Sequence, residues 1–225
     1  MPKVELVIFD CDGVLLDSEL ISCECTVAAF QSVGLQIDAH TVFSRFLGIP
    51  RHDMAKHIAA EGYPVGEDFI QKLEHTIVEA FEDRLQSIRG IEDTLSRLTL
   101  PRCVISSSPV SYVRRGLELT RLAGFFEPHI FSASMVKRGK PAPDLFLYAA
   151  KAMGVAPEHC LVIEDASSGI KAANMAGMPV FWFLGGSHID LEKRPLDLSS
   201  AHPNRTFNSM LDLPGLIDNL CQENA

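Results

Sequence analysis

Residues 4–14 have the sequence VELVIFDCDGV, an apolar run that ends in two aspartates, Asp10 and Asp12. A short continuous apolar run is typical of a strand that is buried on both faces of a parallel sheet. In open α/β sheets, ligands bind in the crevice outside the carboxyl ends of the strands. We therefore expect both aspartates to lie in a functional crevice.

Two later apolar segments, VISS at 104–107 and LVIED at 161–165, also end in polar side chains. Because the carboxyl ends of parallel strands share one edge of a sheet, these side chains are expected to meet the two aspartates. Acids, hydroxyls and a lysine at such an edge predict a metal-assisted phosphate site. These polar residues are Ser106, Ser107, Glu164 and Asp165, together with Lys140, which follows a third apolar segment around Phe131.

From residue 90 onward, strand-like and helix-like patterns alternate along the chain. Such alternation predicts a parallel sheet covered by helices on both faces and joined by right-handed crossovers. The fold class is therefore α/β, with a Rossmann-like doubly wound core. Expected helices span 91–98, 110–119, 143–153, 168–176 and 211–220, and expected strands span 102–107, 129–132, 160–164 and 180–183.

The region 17–88 contains helix-spaced apolar residues and no strand pattern, which predicts an all-helical insertion. Asp17 and Ser18 are residue types that favour the N-cap of its first helix. The domain organisation that follows is a core of 1–16 and 89–225 with a cap domain of 17–88. Expected helices of the insertion span 17–33, 39–47, 52–61 and 67–86.

The composition excludes several classes of protein. A formal charge of −9 over 225 residues disfavours nucleic-acid binding, and we find no apolar run long enough to span a membrane. Six cysteines without regular spacing predict free thiols in a reducing compartment, and the first residues lack a secretory signal pattern. We expect a cytoplasmic monomer whose partner is a small phosphorylated metabolite.

Asp10 and Asp12 are suited to two different catalytic roles. A carboxylate can attack phosphorus and form an aspartyl phosphate, which divides one difficult displacement into two easier steps. A second acid two residues later points the same way on an extended segment and can serve as general acid and base. The alternative is that Asp12 and Gly13 only form a tight turn and that Asp10 is a cap.

The late acids Glu164 and Asp165 predict a Mg²⁺ site together with Asp10 and Asp12. Mg²⁺ prefers oxygen ligands and often uses one or two carboxylates together with phosphate and water. Four neighbouring carboxylates would repel one another without a cation. The alternative interpretation, helix capping by the late acids, is compatible with metal binding.

Ser106, Ser107 and Lys140 predict a phosphate-binding site. Hydroxyls and backbone N–H groups at a helix start bind anions, and a lysine can balance both the phosphate and Asp10. Taken singly, serine runs are more often solvated turns, and an isolated lysine more often lies on the surface.

The motifs DCDGV at 10–14, Ser106, GKPAPD at 139–144 and EDASSG at 164–169 resemble the haloacid dehalogenase superfamily of aspartate-nucleophile phosphotransferases. The resemblance implies that the first Asp is the nucleophile and the second the general acid and base. It further implies that Ser and Lys hold the phosphoryl group, and that the late acids and the Asp12 carbonyl bind Mg²⁺. The helical insertion resembles the cap of the β-phosphoglucomutase and phosphoglycolate phosphatase branch.

Within this branch, Arg51 resembles a cap arginine that binds a distal phosphate, although a solvated arginine at a helix start is the alternative. Ser22 stands where the mutases have a histidine, which favours hydrolysis over phosphoryl transfer between sugar positions. The resemblance implies a sugar phosphate or sugar-acid phosphate substrate, with 6-phosphogluconate as a candidate. A mutase-like phosphotransferase and a non-catalytic phosphometabolite-binding module remain alternatives.

Overall fold

A single parallel sheet carries the core of the protein. The computed structural model describes residues 3–46, 49–189 and 201–222, so residues 1–2, 47–48, 190–200 and 223–225, which belong to the predicted core and insertion, lie outside the described residues. The strands are β1 (Leu6–Asp10), β2 (Arg102–Ser106), β3 (Ile130–Ser132), β4 (Cys160–Glu164), β5 (Val180–Phe183) and β6 (Arg205–Phe207). Their order is β3-β2-β1-β4-β5-β6, and each neighbouring pair is parallel.

Helices cover both faces of this sheet and fill the segment between β1 and β2. Four of them, α1 (Glu19–Ser32), α2 (Ala39–Phe46), α3 (Arg51–Ala60) and α4 (Glu67–Arg84), lie in the predicted insertion. The others are α5 (Ile91–Arg97), α6 (Val110–Leu119), α7 (Asp144–Met153), α8 (Ser167–Met175) and α9 (Leu213–Gln222). Each predicted helix and strand is present, and its ends lie within about two residues of the expected ends. Differences of this size are usual where helices and strands fray.

The strand β6 was not predicted from the sequence. It has only three residues, Arg205–Phe207, and pairs with β5 at the edge of the sheet. A segment this short shows no usable alternation, so its pairing depends on the tertiary structure.

The apolar pattern of β1 explains why it lies at the centre of the sheet. All five residues of β1 are buried, and alternate side chains point to opposite faces. Leu6 and Ile8 join the apolar cluster under α7 and α8, whereas Val7 and Phe9 join the cluster under α5, α6 and α9. This arrangement confirms the predicted doubly wound α/β core.

The strand order reverses between β1 and β4, which is the position where doubly wound folds bind ligands. Phe9 pairs with Ile163 across these two strands. The next residues, Asp10 and Glu164, therefore end their strands side by side. Strand register thus brings together two acids that are far apart in the sequence.

The four insertion helices pack around an apolar cluster of their own, to which Tyr112 of α6 also belongs. The chain enters and leaves the insertion through two adjacent segments. Asp17 N–H donates to the Gln86 carbonyl and Ile88 N–H donates to the Leu15 carbonyl, both at 2.9 Å. Within the described ranges, no helix combines the length and apolarity that a bilayer crossing requires.

Ser18 occupies the N-cap position of α1, as expected, but no side-chain capping bond forms there. Ser18 Oγ donates to Asp12 Oδ1 at 2.8 Å, and Asp17 Oδ1 accepts from the backbone N–H and the hydroxyl of Ser187. Both side chains therefore bond to the core instead of to the first turn of α1. The side chains bond to residues that are distant in the sequence and that only the fold brings close to them.

Candidate active site

Lys140 lies between two carboxylates at the strand ends. Its Nζ donates to Asp10 Oδ1 at 2.6 Å and also to Glu164 Oε1. All three side chains are buried. Burial alone would lower the pKa of Lys140, but the charges of Asp10 and Glu164 raise it above its ordinary value. Lys140 is therefore a buried cation, not the surface lysine of the alternative interpretation.

Three buried acids surround this lysine. Asp10, Glu164 and Asp165 each offer a carboxylate oxygen, and these atoms all lie within 4.8 Å of one another. Burial raises the pKa of Asp10 and of Asp165, the charge of Glu164 raises both further, and Lys140 opposes the shift. One lysine leaves this cluster with excess negative charge, and an oxygen-rich set of this kind fits a hard cation such as Mg²⁺.

Glu164 is held in place by the backbone segment directly before α8. Its Oε2 accepts from the backbone N–H groups of Asp165 and Ala166, both at 2.9 Å, while Oε1 accepts from Lys140. A Cβ atom at Gly169 would lie only 1.7 Å from Oε1, so the helix can approach this carboxylate because residue 169 is glycine. Glu164 thus belongs to the acid cluster, and the alternative that it caps α8 is wrong, because α8 has no side-chain cap.

Three hydroxyl groups orient the carboxylate of Asp12. Ser18 donates to Oδ1 at 2.8 Å, and Ser106 and Ser108 each donate to Oδ2 at 3.3 Å. Ser106 Oγ also accepts from the backbone N–H of Ser108 at 2.9 Å. The bond from Ser18 was missed because the sequence analysis assigned this residue to a helix cap. Asp12 is therefore an anchored acid and more than a turn residue.

These groups line one side of a cleft between the core and the insertion helices. Ser107 is half-buried and lines the cleft together with Lys140 and the acids. The insertion contributes polar side chains from Glu19, Ser22 and Arg51 and apolar surface from α2 and α3. The structure thus brings all the predicted site residues to one cleft.

Arg51 begins α3 and points toward the core. Its Nη2 donates to Tyr112 Oη at 3.2 Å, and its guanidinium carbon lies 5.1 Å from the centre of the Tyr112 ring. Arg51 is therefore half-buried and bonded to the core instead of being fully solvated. Tyr112 was missed because it reads as one more apolar position of the amphipathic helix α6.

Glu19, the first residue of α1, is a second polar group that the sequence analysis missed. It lines the cleft, and its pKa is raised to about 7. Burial is the main cause, the charges of Asp12 and Asp165 add to it, and His188 and Arg51 oppose it. The only sequence signal was an acid directly after Ser18, which is equally typical of an ordinary helix start.

Comparison with known proteins identifies the family. A sequence profile described as haloacid dehalogenase-like hydrolase matches residues 7–183. The chain is 32% identical to 6-phosphogluconate phosphatase of Escherichia coli, with 96% of each protein covered. It is 29% identical to a phosphorylated carbohydrates phosphatase of Thermotoga maritima, over 78% of this chain and 82% of that protein.

A solved structure agrees with this assignment. The chain matches a conserved haloacid dehalogenase-like protein of unknown function from Agrobacterium tumefaciens with a TM-score of 0.82 and 34% identity, covering 96% of this chain and 99% of the other. The predicted superfamily and its enzyme class, phosphoric monoester hydrolase, are confirmed. The profile, the relatives and the shared fold lead to one conclusion: the chain belongs to the haloacid dehalogenase-like hydrolase family.

Proposed function

We propose that this protein is a Mg²⁺-dependent phosphatase that hydrolyses a sugar phosphate or sugar-acid phosphate through an aspartyl-phosphate intermediate. The observation that carries the proposal is the buried contact of Lys140 with Asp10, beside two further acids and at the base of a cleft. A nucleophilic carboxylate, a fixed cation and a metal-ligand set in one crevice are what phosphoryl transfer requires.

Asp10 and Asp165 are the proposed side-chain ligands of Mg²⁺, and the family resemblance adds the backbone carbonyl of Asp12. Glu164 belongs to the same cluster, but its oxygens already accept from Lys140 and two backbone N–H groups. Its proposed role is to hold Lys140 beside Asp10. When bound, the cation would neutralise charge on the phosphate and on the acids.

In the proposed first step, Asp10 Oδ2 attacks phosphorus while Asp12 gives a proton to the leaving alcohol oxygen. The phosphorus–oxygen bond to the alcohol breaks, and an aspartyl phosphate forms. In the second step Asp12 takes a proton from water, which attacks phosphorus and releases inorganic phosphate and the free Asp10 carboxylate. Ser106, Ser107 and Lys140 line the cleft, and their proposed role is to donate to phosphoryl oxygens when substrate is bound.

The proposed domain division assigns 17–88 to a cap over the core of 1–16 and 89–225. Support comes from the separate apolar cluster of the insertion and from its two adjacent connections to the core. Closure of such a cap would exclude water and add Arg51 to the substrate site. We propose that the cap opens and closes by rotation about the two segments that join it to the core.

The proposed substrate class rests on the named relatives and on the polarity of the cleft. Two relatives are phosphatases of 6-phosphogluconate and of phosphorylated carbohydrates. On the insertion side, Glu19, Ser22 and Arg51 offer hydrogen-bonding groups that suit a substrate rich in hydroxyls. We therefore retain 6-phosphogluconate as the candidate substrate.

Phosphate release from a panel of sugar phosphates, sugar-acid phosphates and nucleotides, in Mg²⁺ and in EDTA, tests the proposal. Release should require Mg²⁺ and be greatest for phosphorylated sugars or sugar acids, including 6-phosphogluconate. The variant Asp10→Asn should fold normally and lose about 10³-fold or more of the activity, because the nucleophile is removed.

Release by Asp10→Asn at the wild-type rate would refute the nucleophile assignment. Conversion of one sugar phosphate isomer into another, followed by ³¹P NMR, without phosphate release would indicate a mutase. Absence of both reactions across the panel would contradict the proposed function and favour a binding module.

A further inference from the structure

The loop after β5 carries a histidine, His188, into direct contact with the acid cluster. Its Nε2 lies 2.9 Å from Asp165 Oδ2, a contact that is an ion pair when the imidazole is protonated. His188 is 2% exposed, so the contact is shielded from water. None of the steps proposed above uses this side chain, although it touches a proposed metal ligand.

Two glycines leave the space that the imidazole occupies. A Cβ atom at Gly13 would lie 2.9 Å from His188 Cε1, and one at Gly186 would lie 2.6 Å from the same atom. Gly13 follows Asp12 directly, so the turn after the two aspartates also forms the wall of the histidine site. The ring is therefore closely confined on the core side.

The insertion confines the same ring from another direction. Phe43 of α2 stacks against His188, with 6.2 Å between the ring centres and 30° between the ring planes. His188 thus contacts both an aromatic residue of the insertion and the carboxylate of Asp165. A side chain held on several sides can fix the orientation of a neighbour at low entropic cost.

Asp165 is held at two different points. Trp182 Nε1 donates to its backbone carbonyl oxygen at 2.8 Å, and His188 contacts its carboxylate. Carboxylates and imidazoles that bind metal ions are generally oriented by such outer partners, whose loss lowers metal affinity. Because Asp165 is surrounded by other acids, its carboxylate needs a partner that opposes rotation away from them.

We propose that His188 is a positioning residue that orients the carboxylate of Asp165 for cation binding. This inference rests on the metal site of the proposed function. It assigns the histidine no proton transfer and no direct contact with substrate. Its effect is on the affinity for Mg²⁺, through the geometry of one ligand.

The single tryptophan of the chain provides a readout that does not depend on activity. Trp182 is buried and bonded to Asp165, so binding of Mg²⁺ there should change its fluorescence. Mg²⁺ titrations would compare the full-length wild type with His188→Leu, which lacks a ring nitrogen, and with His188→Gln, whose amide nitrogen can replace Nε2. Asp165→Asn is the control for the site, and calorimetric titration of Mg²⁺ gives an independent measure of binding.

We expect His188→Leu to raise the Kd for Mg²⁺ about tenfold or more, as is typical when an outer partner of a ligand is lost. His188→Gln should bind close to wild-type affinity, and thermal unfolding in EDTA should be cooperative for both variants. If the leucine does not fit the confined site, His188→Ala replaces it, because alanine adds no bulk.

Wild-type Mg²⁺ affinity in His188→Leu would overturn the inference and leave the proposed function intact. Equal weakening by Gln and Leu would also overturn it, because the ring would then act by packing alone. If neither fluorescence nor calorimetry detects Mg²⁺ binding to the wild type, the metal site of the proposed function fails, and this inference fails with it.

Discussion

The carboxylate of Glu164 shows how closely single residues in this site depend on one another. Its three donors are Lys140 and the backbone N–H groups of Asp165 and Ala166. Because Lys140 also bonds to Asp10, a shift of Glu164 would be passed to the proposed nucleophile. Glu164 has room in turn only because residue 169 is glycine and carries no Cβ atom.

The substitution Gly169→Ala should therefore destabilise the protein and reduce its activity. The new methyl group would lie 1.7 Å from Glu164 Oε1, and a buried overlap typically costs about 1–3 kcal/mol in the free energy of unfolding. Urea unfolding and phosphate release measure the two effects.

A matched control for this substitution is Gly215→Ala, which alters an exposed glycine in α9 with no atom near the added Cβ. Alanine there should stabilise the protein by about 0.4–1 kcal/mol, because it restricts the unfolded chain. Equal stability changes for the two substitutions would contradict the proposed close packing at Glu164.

The raised pKa of Glu19 predicts that the stability of the protein depends on pH in metal-free buffer. Its pKa is about 7 in the folded protein and 4.5 ordinarily, so the folded state holds its proton over a range in which the unfolded chain releases it. The stabilising contribution is fully present below pH 4.5 and is lost as the pH rises to about 7. The loss is complete and constant from about one pH unit above the folded pKa.

Glu19→Gln removes this titration. Relative to wild type, its free energy of unfolding should rise by about 1–3 kcal/mol between pH 4.5 and 7.5, measured by urea unfolding in EDTA. Glu92→Gln, at an exposed position of α5, is the control. A Glu19→Gln difference that is constant with pH would refute the raised pKa.

At the level of helices, the cleft depends on a contact between α3 of the insertion and α6 of the core. α6 starts just after the serines that hold Asp12, and Tyr112 lies within its first turn. Its hydroxyl accepts from Arg51, so the core orients a cation of the insertion. Tyr112 also packs in the apolar cluster of the insertion helices.

Tyr112→Phe removes the hydroxyl and keeps the ring beneath Arg51. We expect KM for the best substrate to rise about fivefold, the equivalent of one hydrogen bond of about 1 kcal/mol, with kcat nearly unchanged. Arg51→Ala should raise KM further. Steady-state kinetics of phosphate release measures both constants.

Tyr148→Phe, at a half-exposed tyrosine on α7, is the control and should leave KM unchanged. If Arg51→Ala raises KM while Tyr112→Phe does not, Tyr112 has no positioning role. An unchanged KM in Arg51→Ala would instead count against the proposed substrate contact of Arg51.

At the level of the whole molecule, the insertion is attached through two segments that lie side by side. Leu16 forms an antiparallel bridge with Ser87, and Asp17 bonds to Gln86. The core strands do not require the insertion to complete their hydrogen bonding, since β1 pairs with β2 and β4. The core should therefore fold without it.

This can be tested by removing residues 18–85 and joining Asp17 to Gln86 with Asn-Gly, a dipeptide that favours tight hairpin turns. The shortened protein should unfold cooperatively and release phosphate slowly from p-nitrophenyl phosphate in Mg²⁺. It should no longer discriminate among sugar phosphates, because Arg51 and Glu19 are absent.

Adding Asp10→Asn to the shortened protein should abolish the remaining release, which identifies the core as its source. Loss of cooperative unfolding, checked by circular dichroism, would contradict the proposed division into a core and a cap. Retained discrimination among sugar phosphates would place substrate recognition in the core instead.

Sequence alone was sufficient for the α/β class, the helices between β1 and β2 and the order of the polar strand ends. Local patterns in the sequence predict these features. Continuous apolar runs indicate buried parallel strands, helical periodicity indicates amphipathic helices, and polar residues mark the positions where strands end. The position of Asp10 beside Glu164 could be inferred because parallel strands end at a common edge.

The tertiary structure alone decided which partners hold these groups. The Ser18 side chain bonds to Asp12 instead of to the first turn of α1, Tyr112 meets Arg51 from 61 positions away, and His188 contacts Asp165. Such contacts join residues whose separation along the chain carries no periodic signal. They arise because helices and loops packed on one sheet edge place side chains within hydrogen-bonding distance, and only the packed chain specifies that distance.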